Sequence, residues 1–197
     1  MACKTAALGS LVKIMTGAPM SRAKKIAESD EPINARVLVP AAMSNGRIDD
    51  AQLVTERVSK VKDELFTREG DVVVKASTPY DCVFIDKGHE GLLVTSFGLI
   101  LRPASHASLD MRFLAIYLGL EQTNKALQSM SKGMTIQLIK KRDIGDLQVP
   151  IPDLEAQLRL ASLFECTQKR KEFCRSMIEK SDLLLQSEFS RTIFDND

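Results

Sequence analysis

The chain has 197 residues, 44% of them hydrophobic and 5% aromatic, which excludes wholesale disorder and predicts one ordinary domain with an aliphatic core plus an appendage. The formal net charge of +1 excludes the strongly basic composition of a histone-like protein. Four cysteines lie far apart without a CxxC pair, which argues against a disulfide framework and against a zinc site.

The first third of the sequence predicts short elements separated by turns. Residues 8–15 carry apolar side chains at helical and then alternating spacing, and a Gly-Ala-Pro sequence at 17–19 ends this segment. The apolar run at 37–39 predicts a buried strand that ends before Pro40. Asn45-Gly46 is typical of a tight turn between two strands.

Between residues 64 and 101 the sequence predicts several β-strands. Apolar runs at 72–74, 82–85, 92–94 and 97–101 recur about every ten residues. That spacing favours a compact, curved sheet over a βαβ array. We predict that Asp86-Lys87-Gly88 is a hairpin turn within this sheet.

Helices dominate the rest of the chain. Asp110 is the predicted N-cap of a helix that ends at Gly133, and residues 135–139 then alternate like a strand. Because no Gly or Pro follows Pro152, we expect Asp153 to cap a helix that continues to about residue 190.

These elements predict an α+β protein with two parts. The first is a compact, curved β-sheet recognition domain with packed helices over residues 1–152, and the second is one long, coiled-coil-like C-terminal helix over residues 153–197. The first part carries twenty Lys and Arg against seventeen Asp and Glu, whereas the second carries seven against nine. This modest asymmetry suits a domain that meets an anionic partner.

Heptad spacing follows one side of the long helix. Its seam consists of Leu160, Phe164, Thr167, Lys171, Cys174, Ile178, Ser181 and Leu185. A helix of this length overhangs a domain that is about 30 Å across, so we predict a partner helix. In an antiparallel pair Leu160 faces Leu185 and Thr167 faces Ile178, which is the self-complementary contact of a two-fold dimer.

The sequence contains no motif of a self-sufficient enzyme. It has no GxxxxGK[ST] loop, no HExxH, no GxSxG and no Asn-Pro-Pro-aromatic tetrad for methylating a base. Asp71, Asp81, Asp86 and Lys87 resemble a nuclease metal cluster, but adjacent Asp86 and Lys87 would point to opposite faces of a strand. No segment has the ~20 apolar residues of a membrane span. We therefore expect a cytoplasmic protein that is not an enzyme and has no metal or other cofactor.

Five segments, in order along the chain, resemble the specificity subunit of type I restriction–modification systems. They are LGSLV at 8–12 with Gly17, EGDVVV at 69–74, FLAIYL at 113–118, GMTIQ at 133–137 and IGDLQVPIPDLEAQ at 144–157. The last of them is similar to the family's junction between a recognition domain and a spacer helix.

The resemblance implies a non-catalytic DNA reader that docks on a methyltransferase subunit, with a restriction subunit joining for cleavage. In the family two recognition domains are held apart by paired long helices, and each domain reads half of a split target. This chain has one domain and one helix, as in half of such a subunit. We therefore expect a homodimer that reads a palindromic, bipartite site in double-stranded DNA.

The residues that would contact DNA are predicted in loops around the sheet and the first helix. Phosphate contacts need Lys or Arg, whereas base contacts need amides, hydroxyls or Arg. On this basis the candidates are Arg22, Lys24, Lys25, Lys75, Ser77, Thr78, Tyr80, Lys132, Thr135, Gln137, Lys140 and Lys141.

Three other functions are compatible with parts of the sequence. A stand-alone dimeric transcriptional regulator or antitoxin would bind its operator tightly without a methyltransferase. An adaptor would recruit a partner through its helix and would not bind DNA. A metal-dependent nuclease would cleave DNA with magnesium or manganese, and the adjacency of Asp86 and Lys87 argues against it.

Overall fold

The computed structural model describes residues 4–29, 31–104, 108–130 and 138–193. The strands in these ranges are β1 Lys4–Ala7, β2 Val12–Thr16, β3 Ile33–Leu38, β4 Met43–Ser44, β5 Arg47–Ile48, β6 Val54–Val58, β7 Val72–Lys75, β8 Cys82–Phe84, β9 Leu93–Val94, β10 Gly98–Pro103 and β11 Gln148–Ile151. The α-helices are α1 Leu8–Leu11, α2 Met20–Ala23, α3 Met111–Gly119, α4 Glu121–Met130, α5 Lys141–Gly145 and α6 Leu154–Ile193. Short 3-10 helices are Pro40–Ala42, Asp50–Gln52, Asp63–Leu65 and Lys87–His89.

The chain divides into two compact units, Met1–Leu158 and Arg159–Asp197. The described strands, the helices α1 to α5 and the start of α6 belong to the first unit, and the described part of the second is α6 from Arg159 onward. None of the described helices is both long and apolar enough to cross a membrane. The α+β class and the long C-terminal helix that the sequence predicts are confirmed.

The first unit is built around an antiparallel sheet with the strand order β2-β10-β7-β8. Alternation along its strands sends Val72 and Val74 into one apolar cluster and Val73 into another on the opposite face. Leu114 and Leu118 of α3 belong to the first of these clusters. Because both faces of the sheet are covered, its strands appear in the sequence as unbroken apolar runs.

The other described strands are distributed over three smaller sheets. β3 pairs with β6 antiparallel and with β9 parallel, β4 pairs with β5, and β1 pairs with β11. The tight turn predicted between β4 and β5 is confirmed, since Asn45 and Gly46 have φ of 51° and 77°. These left-handed values match the preference of Asn and Gly for such turns.

The pairing of β1 with β11 brings the start of the chain to the strand that leads into α6. The cap predicted for this helix is confirmed, because Asp153 Oδ1 accepts a hydrogen bond from the Ala156 N–H at 2.8 Å. Gln157, in the first turn, is buried. Its Nε2 donates to the Pro152 carbonyl at 2.9 Å and its Oε1 accepts from the Asp110 N–H at 2.8 Å. This amide therefore joins the helix start to the start of α3.

Two predicted local features differ from the structure. The helix capped by Asp110 ends at Gly119, and α4 begins after the extended residue Leu120; Gly133 lies outside the described residues. Asp86-Lys87-Gly88 is not a hairpin turn, because β8 and β9 belong to different sheets. Asp86 instead caps a 3-10 helix, accepting a hydrogen bond from the His89 N–H.

Candidate nucleic-acid interface

The twelve candidate DNA contacts fall into three groups along the chain. The first group, Arg22, Lys24 and Lys25, lies at the end of α2. Lys24 Nζ is 2.6 Å from Glu56 Oε1 on β6, so a carboxylate already compensates its charge. Arg22 and Lys25 are exposed and line a cavity of about 360 Å³. These two side chains are therefore placed to meet a ligand from solvent.

We refer to this cavity as the basic pocket. It is lined by Ala18, Pro19, Arg22, Ala23, Lys25, Lys60, Val61, Lys62 and Leu65. Four of these residues are cations and none is acidic. Lys62 Nζ lies 3.9 Å from Glu64 Oε1, but the closer partner of Glu64 is Lys13 at 2.9 Å. The hydrogen bond from Lys13 holds the pKa of Glu64 below its ordinary value.

Two chain segments converge at the basic pocket, and Ser59 holds them together. The Ser59 N–H donates to the Ala23 carbonyl at 2.9 Å, and Ser59 Oγ donates to the Lys25 carbonyl at 3.1 Å. Ser59 is buried, so water does not compete with these bonds. The next residue, Lys60, has a φ of 53°, in the left-handed region that residues other than glycine rarely adopt.

The second group begins at the last residue of β7 and consists of Lys75, Ser77, Thr78 and Tyr80. Its members differ in how far they are buried. Lys75 Nζ is 2.8 Å from Asp81 Oδ2, and only 13% of the Lys75 side chain is exposed. Tyr80 is 1% exposed and belongs to the core cluster beneath α3. The burial of Tyr80 contradicts its prediction as a DNA contact, because a ring inside the core cannot reach a base. Ser77 and Thr78 remain at the surface.

The described members of the third group, Lys140 and Lys141, follow a segment that pairs with the second. Ser77 forms a β-bridge with Leu138, and the Ile139 N–H donates to the Ala76 carbonyl at 2.8 Å. The exposed residues Lys140 and Lys141 follow directly. The structure thus joins two segments that are some sixty positions apart in the sequence, as the pair Ser77–Leu138 illustrates. The remaining members of the group, Lys132, Thr135 and Gln137, lie outside the described residues.

A short turn at Ser96-Phe97 is hydrogen-bonded both to the segment of the second group and to the segment that precedes α2. It places the Phe97 ring at the surface, with 53% of the residue exposed. The Phe97 carbonyl accepts from the Ala76 N–H at 2.8 Å, and the neighbouring Ser96 N–H donates to the Ala18 carbonyl at 2.8 Å. The turn is therefore bonded on one side to the Ser77 segment and on the other to a residue of the basic pocket.

The residues that resemble a nuclease cluster do not come together in one site. Asp71 is buried and bonded to Arg102 at 2.7 Å, whereas Asp81 binds Lys75. Asp86 Oδ1 lies 2.7 Å from His89 Nδ1 on its own 3-10 helix. Among the described residues, no group of three or more His, Cys, Asp or Glu side chains could hold a metal ion.

Sequence reasoning missed three residues of this surface: Lys60, Lys62 and Phe97. Lys60 and Lys62 are separated by a single residue after β6, but nothing local indicates that they face Arg22, which is 38 positions earlier. The sequence predicts Phe97 within a strand because it begins an apolar run, although the strand starts at Gly98. The isolated glycine inside this apolar run, Gly98, is the signal that could have marked an interruption there.

All residues of the seam predicted for α6 lie in the second unit. Three of its apolar members, Leu160, Ile178 and Leu185, are 42%, 62% and 59% exposed. A further set of exposed apolar residues on this helix lies outside the predicted seam and consists of Leu163, Phe173, Met177, Leu183, Leu184, Phe189 and Ile193. The helix therefore offers more apolar surface than one narrow coiled-coil seam requires.

Neither the protein-family models nor the curated proteins include one that matches this sequence. Solved structures do match the fold. A chain of a type I R-M system, from work on its complex assembly and conformational transition, has a TM-score of 0.61 at 20% identity. That alignment covers 94% of this chain and 43% of the other.

Two further structures are similar over most of the chain. The HsdS subunit from Thermoanaerobacter tengcongensis has a TM-score of 0.53 at 18% identity, covering 85% of this chain and 37% of that one. The S subunit of the type I restriction-modification system from M. genitalium has a TM-score of 0.60 at 16% identity, covering 100% and 47%. The chain thus has the fold of these S subunits and spans less than half the length of each. The fold expected from the sequence resemblance is confirmed.

Proposed function

We propose that this chain is a non-catalytic DNA sequence-recognition subunit of a type I restriction–modification complex. The observation that carries the proposal is the fold likeness to S subunits, which extends over 85% and 100% of the chain in two comparisons. The resemblance of five sequence segments supports it from different evidence. The basic pocket supports it as well, because proteins hold the DNA backbone mainly with Lys and Arg.

The recognition unit reads one half of a split target, so the second half needs a second unit. In this proposal α6 pairs antiparallel with α6 of a second copy, with Leu160 against Leu185 and Thr167 against Ile178. Such a dimer places two identical readers about a two-fold axis, and its target is an inverted repeat with a fixed gap. The 40-residue helix, about 60 Å long at 1.5 Å per residue, sets that gap.

The same helix provides a surface for the modification enzyme. Its exposed apolar residues outside the pairing seam, such as Phe173 and Met177, would be covered by the methyltransferase subunit. A restriction subunit joins this assembly when DNA is cleaved. We place the complex in the cytoplasm, where the DNA of the cell and the methyl donor are both available.

The DNA contacts in this proposal divide by chemistry. Phosphates are held by the cationic side chains of Arg22, Lys25, Lys140 and Lys141. We propose the same role for Lys132, which lies outside the described residues. Hydroxyl and amide side chains read base edges in a groove. The residues proposed for reading bases are Ser77, Thr78, Thr135 and Gln137.

Random-site selection and electrophoretic mobility shifts test the proposal. The chain is used with and without a type I methyltransferase subunit from the same genome. We expect enrichment of a split inverted repeat and a clear gain in affinity when the methyltransferase is present. Tight operator binding that the methyltransferase leaves unchanged would indicate a stand-alone regulator. Absence of DNA binding in both samples would indicate an adaptor, and either result would overturn the proposal.

A further inference from the structure

We infer that Phe97 is a specificity-determining residue, which enters the major groove of the target and contacts the methyl group of a thymine. This inference rests on the proposed function. Phe97 is 53% exposed. The other aromatic residues of the first unit are buried or half-buried, and they are Phe66, Tyr80, Phe84, Phe113 and Tyr117. Because single exposed apolar side chains are common on protein surfaces, the position of Phe97 carries the inference.

The turn that carries Phe97 has a firmly held backbone. Within the turn, the Gly98 N–H donates to the Thr95 carbonyl at 2.8 Å. On one side the turn donates an N–H to the Ala18 carbonyl, and on the other it accepts from the Ala76 N–H, both at 2.8 Å. The base of the exposed ring is therefore fixed before any ligand arrives, which lowers the entropy cost of a contact.

Four segments form a row at one end of the central sheet, and the turn is one of the two inner segments. Ile139 is bonded to Ala76, Ala76 to the turn, and the turn to Ala18. Neighbouring segments bonded in this way lie about 4.8 Å apart, so the row is about 14 Å wide. A proposed phosphate contact follows each outer segment in the chain. Lys140 comes directly after Ile139, and Arg22 belongs to α2, which begins two residues after Ala18.

The width of this row fits the major groove of DNA and not the minor groove. The major groove is about 12 Å wide, whereas the minor groove is about 6 Å wide. With the outer segments on the phosphates of the two strands, an inner residue lies over the base edges between them. The Phe97 ring offers no conventional hydrogen bond, and the apolar group that the major groove presents is the thymine methyl. Phe97 thus complements the hydroxyl contacts proposed for Ser77 and Thr78.

Random-site selection with Phe97→Ala beside the wild type tests the inference, under conditions in which the wild type binds DNA. We expect the variant to select the wild-type site, with the preference for thymine lost at one position of the half-site. Both proteins should bind an unrelated duplex equally, because the ring makes no phosphate contact. The variant should also keep the thermal midpoint of the wild type, since it truncates a mostly exposed side chain.

Replacing the thymine at that position by uracil isolates its methyl group, because uracil forms the same base pair. The wild type should bind the uracil target about fourfold more weakly for each methyl removed, which is the factor for burying one such group. Phe97→Ala should bind the thymine and uracil targets with equal affinity.

Leu154→Ala is the matched control, because Leu154 is 50% exposed at the start of α6, and it should leave the selected site unchanged. A half-site without thymine, an unchanged site for Phe97→Ala, or a uracil effect that persists in this variant would overturn the inference and leave the proposed function standing. Weaker association of Phe97→Ala with the methyltransferase subunit, at an unchanged site, would assign the ring to that interface and also overturn it. Absence of DNA binding by the wild type would overturn both.

Discussion

Asp71 is fully buried, and its carboxylate is matched by three donors. Arg102 donates from Nε to Oδ1 at 2.9 Å and from Nη2 to Oδ2 at 2.7 Å, and the Arg68 N–H donates to Oδ2 at 2.9 Å. The hydrogen bonds to Asp71 raise the pKa of Arg102 above its ordinary value. The pair ties the turn before β7 to the end of β10. The aspartate of the EGDVVV segment is thus structural in this fold.

The substitution Asp71→Asn should destabilise the protein by about 3 kcal/mol, because it leaves the largely buried guanidinium of Arg102 without its counter-charge. Urea unfolding followed by circular dichroism measures this change. Asp63→Asn is the matched control, since the Asp63 side chain is 91% exposed in its pair with Arg68. The control should remain close to the wild type. Equal midpoints for all three proteins would contradict the structural role of Asp71.

At the residue scale, local chemistry was predictable and distant contacts were not. Asn45-Gly46 and the caps at Asp110 and Asp153 act within a few residues, so the sequence determines them directly. Tyr80 is predicted at the surface because it lies in a loop between two predicted strands, and no pattern indicates that its ring enters the core. The approach of Lys60 to Lys25 depends on Ser59, whose two bonds span more than thirty positions.

At the scale of elements, the start of α3 is set by a charged cap. Asp110 Oδ1 accepts hydrogen bonds from the N–H groups of Arg112 and Phe113 at 2.8 and 3.2 Å, and Arg112 Nη2 lies 2.7 Å from Oδ2. Burial alone would raise the pKa of Asp110, but these hydrogen bonds and the Arg112 charge outweigh it and hold the pKa below its ordinary value. The cap is therefore strongest when the carboxylate is ionised.

This cap predicts a specific dependence on pH. Because the pKa of Asp110 is lower in the folded than in the unfolded protein, its stabilisation is fully present above the unfolded value of about 3.9. It is lost as the pH falls through the folded pKa. Asp110→Asn retains a good cap without the charge. Urea unfolding between about pH 2.5 and 7 should show the variant less stable near neutrality and the difference shrinking in acid. A constant difference would contradict the prediction.

The elements themselves were predicted better than their connections. Apolar runs located the strands of the central sheet, because both faces of that sheet are buried. The break between α3 and α4 was missed, since Leu120 has ordinary helix propensity. The break is stabilised by Asn124, whose Nδ2 donates to the Leu118 carbonyl at 3.2 Å. Sheet membership was also missed, because β9 pairs parallel with the distant β3 and not with β8.

At the scale of the whole molecule, the proposed antiparallel dimer places Lys171 of one copy against Cys174 of the other. Lys171→Cys should therefore form a disulfide-linked dimer under mild oxidation, observed on a non-reducing gel, in a background without Cys3 and Cys166. Buried Cys82 does not interfere, since burial raises the pKa of its thiol to about 12.

Two controls accompany this cross-linking experiment. Removing the native thiol by Cys174→Ala should abolish the cross-link of the Lys171→Cys variant, because the two new cysteines do not face each other in the antiparallel register. A parallel pairing of the helices would instead cross-link Cys174 to Cys174 in the otherwise unchanged chain. That result, or a monomer under all conditions, would contradict the dimer.

DNA recognition by a two-fold pair of units is tested most directly by sequencing DNA methylation in cells. The cells express the methyltransferase subunit either alone or together with this chain. We expect methylation to appear only with the chain and to lie in a split inverted repeat whose gap is constant. Methylation that is the same with and without the chain, or that marks an undivided and asymmetric sequence, would contradict it.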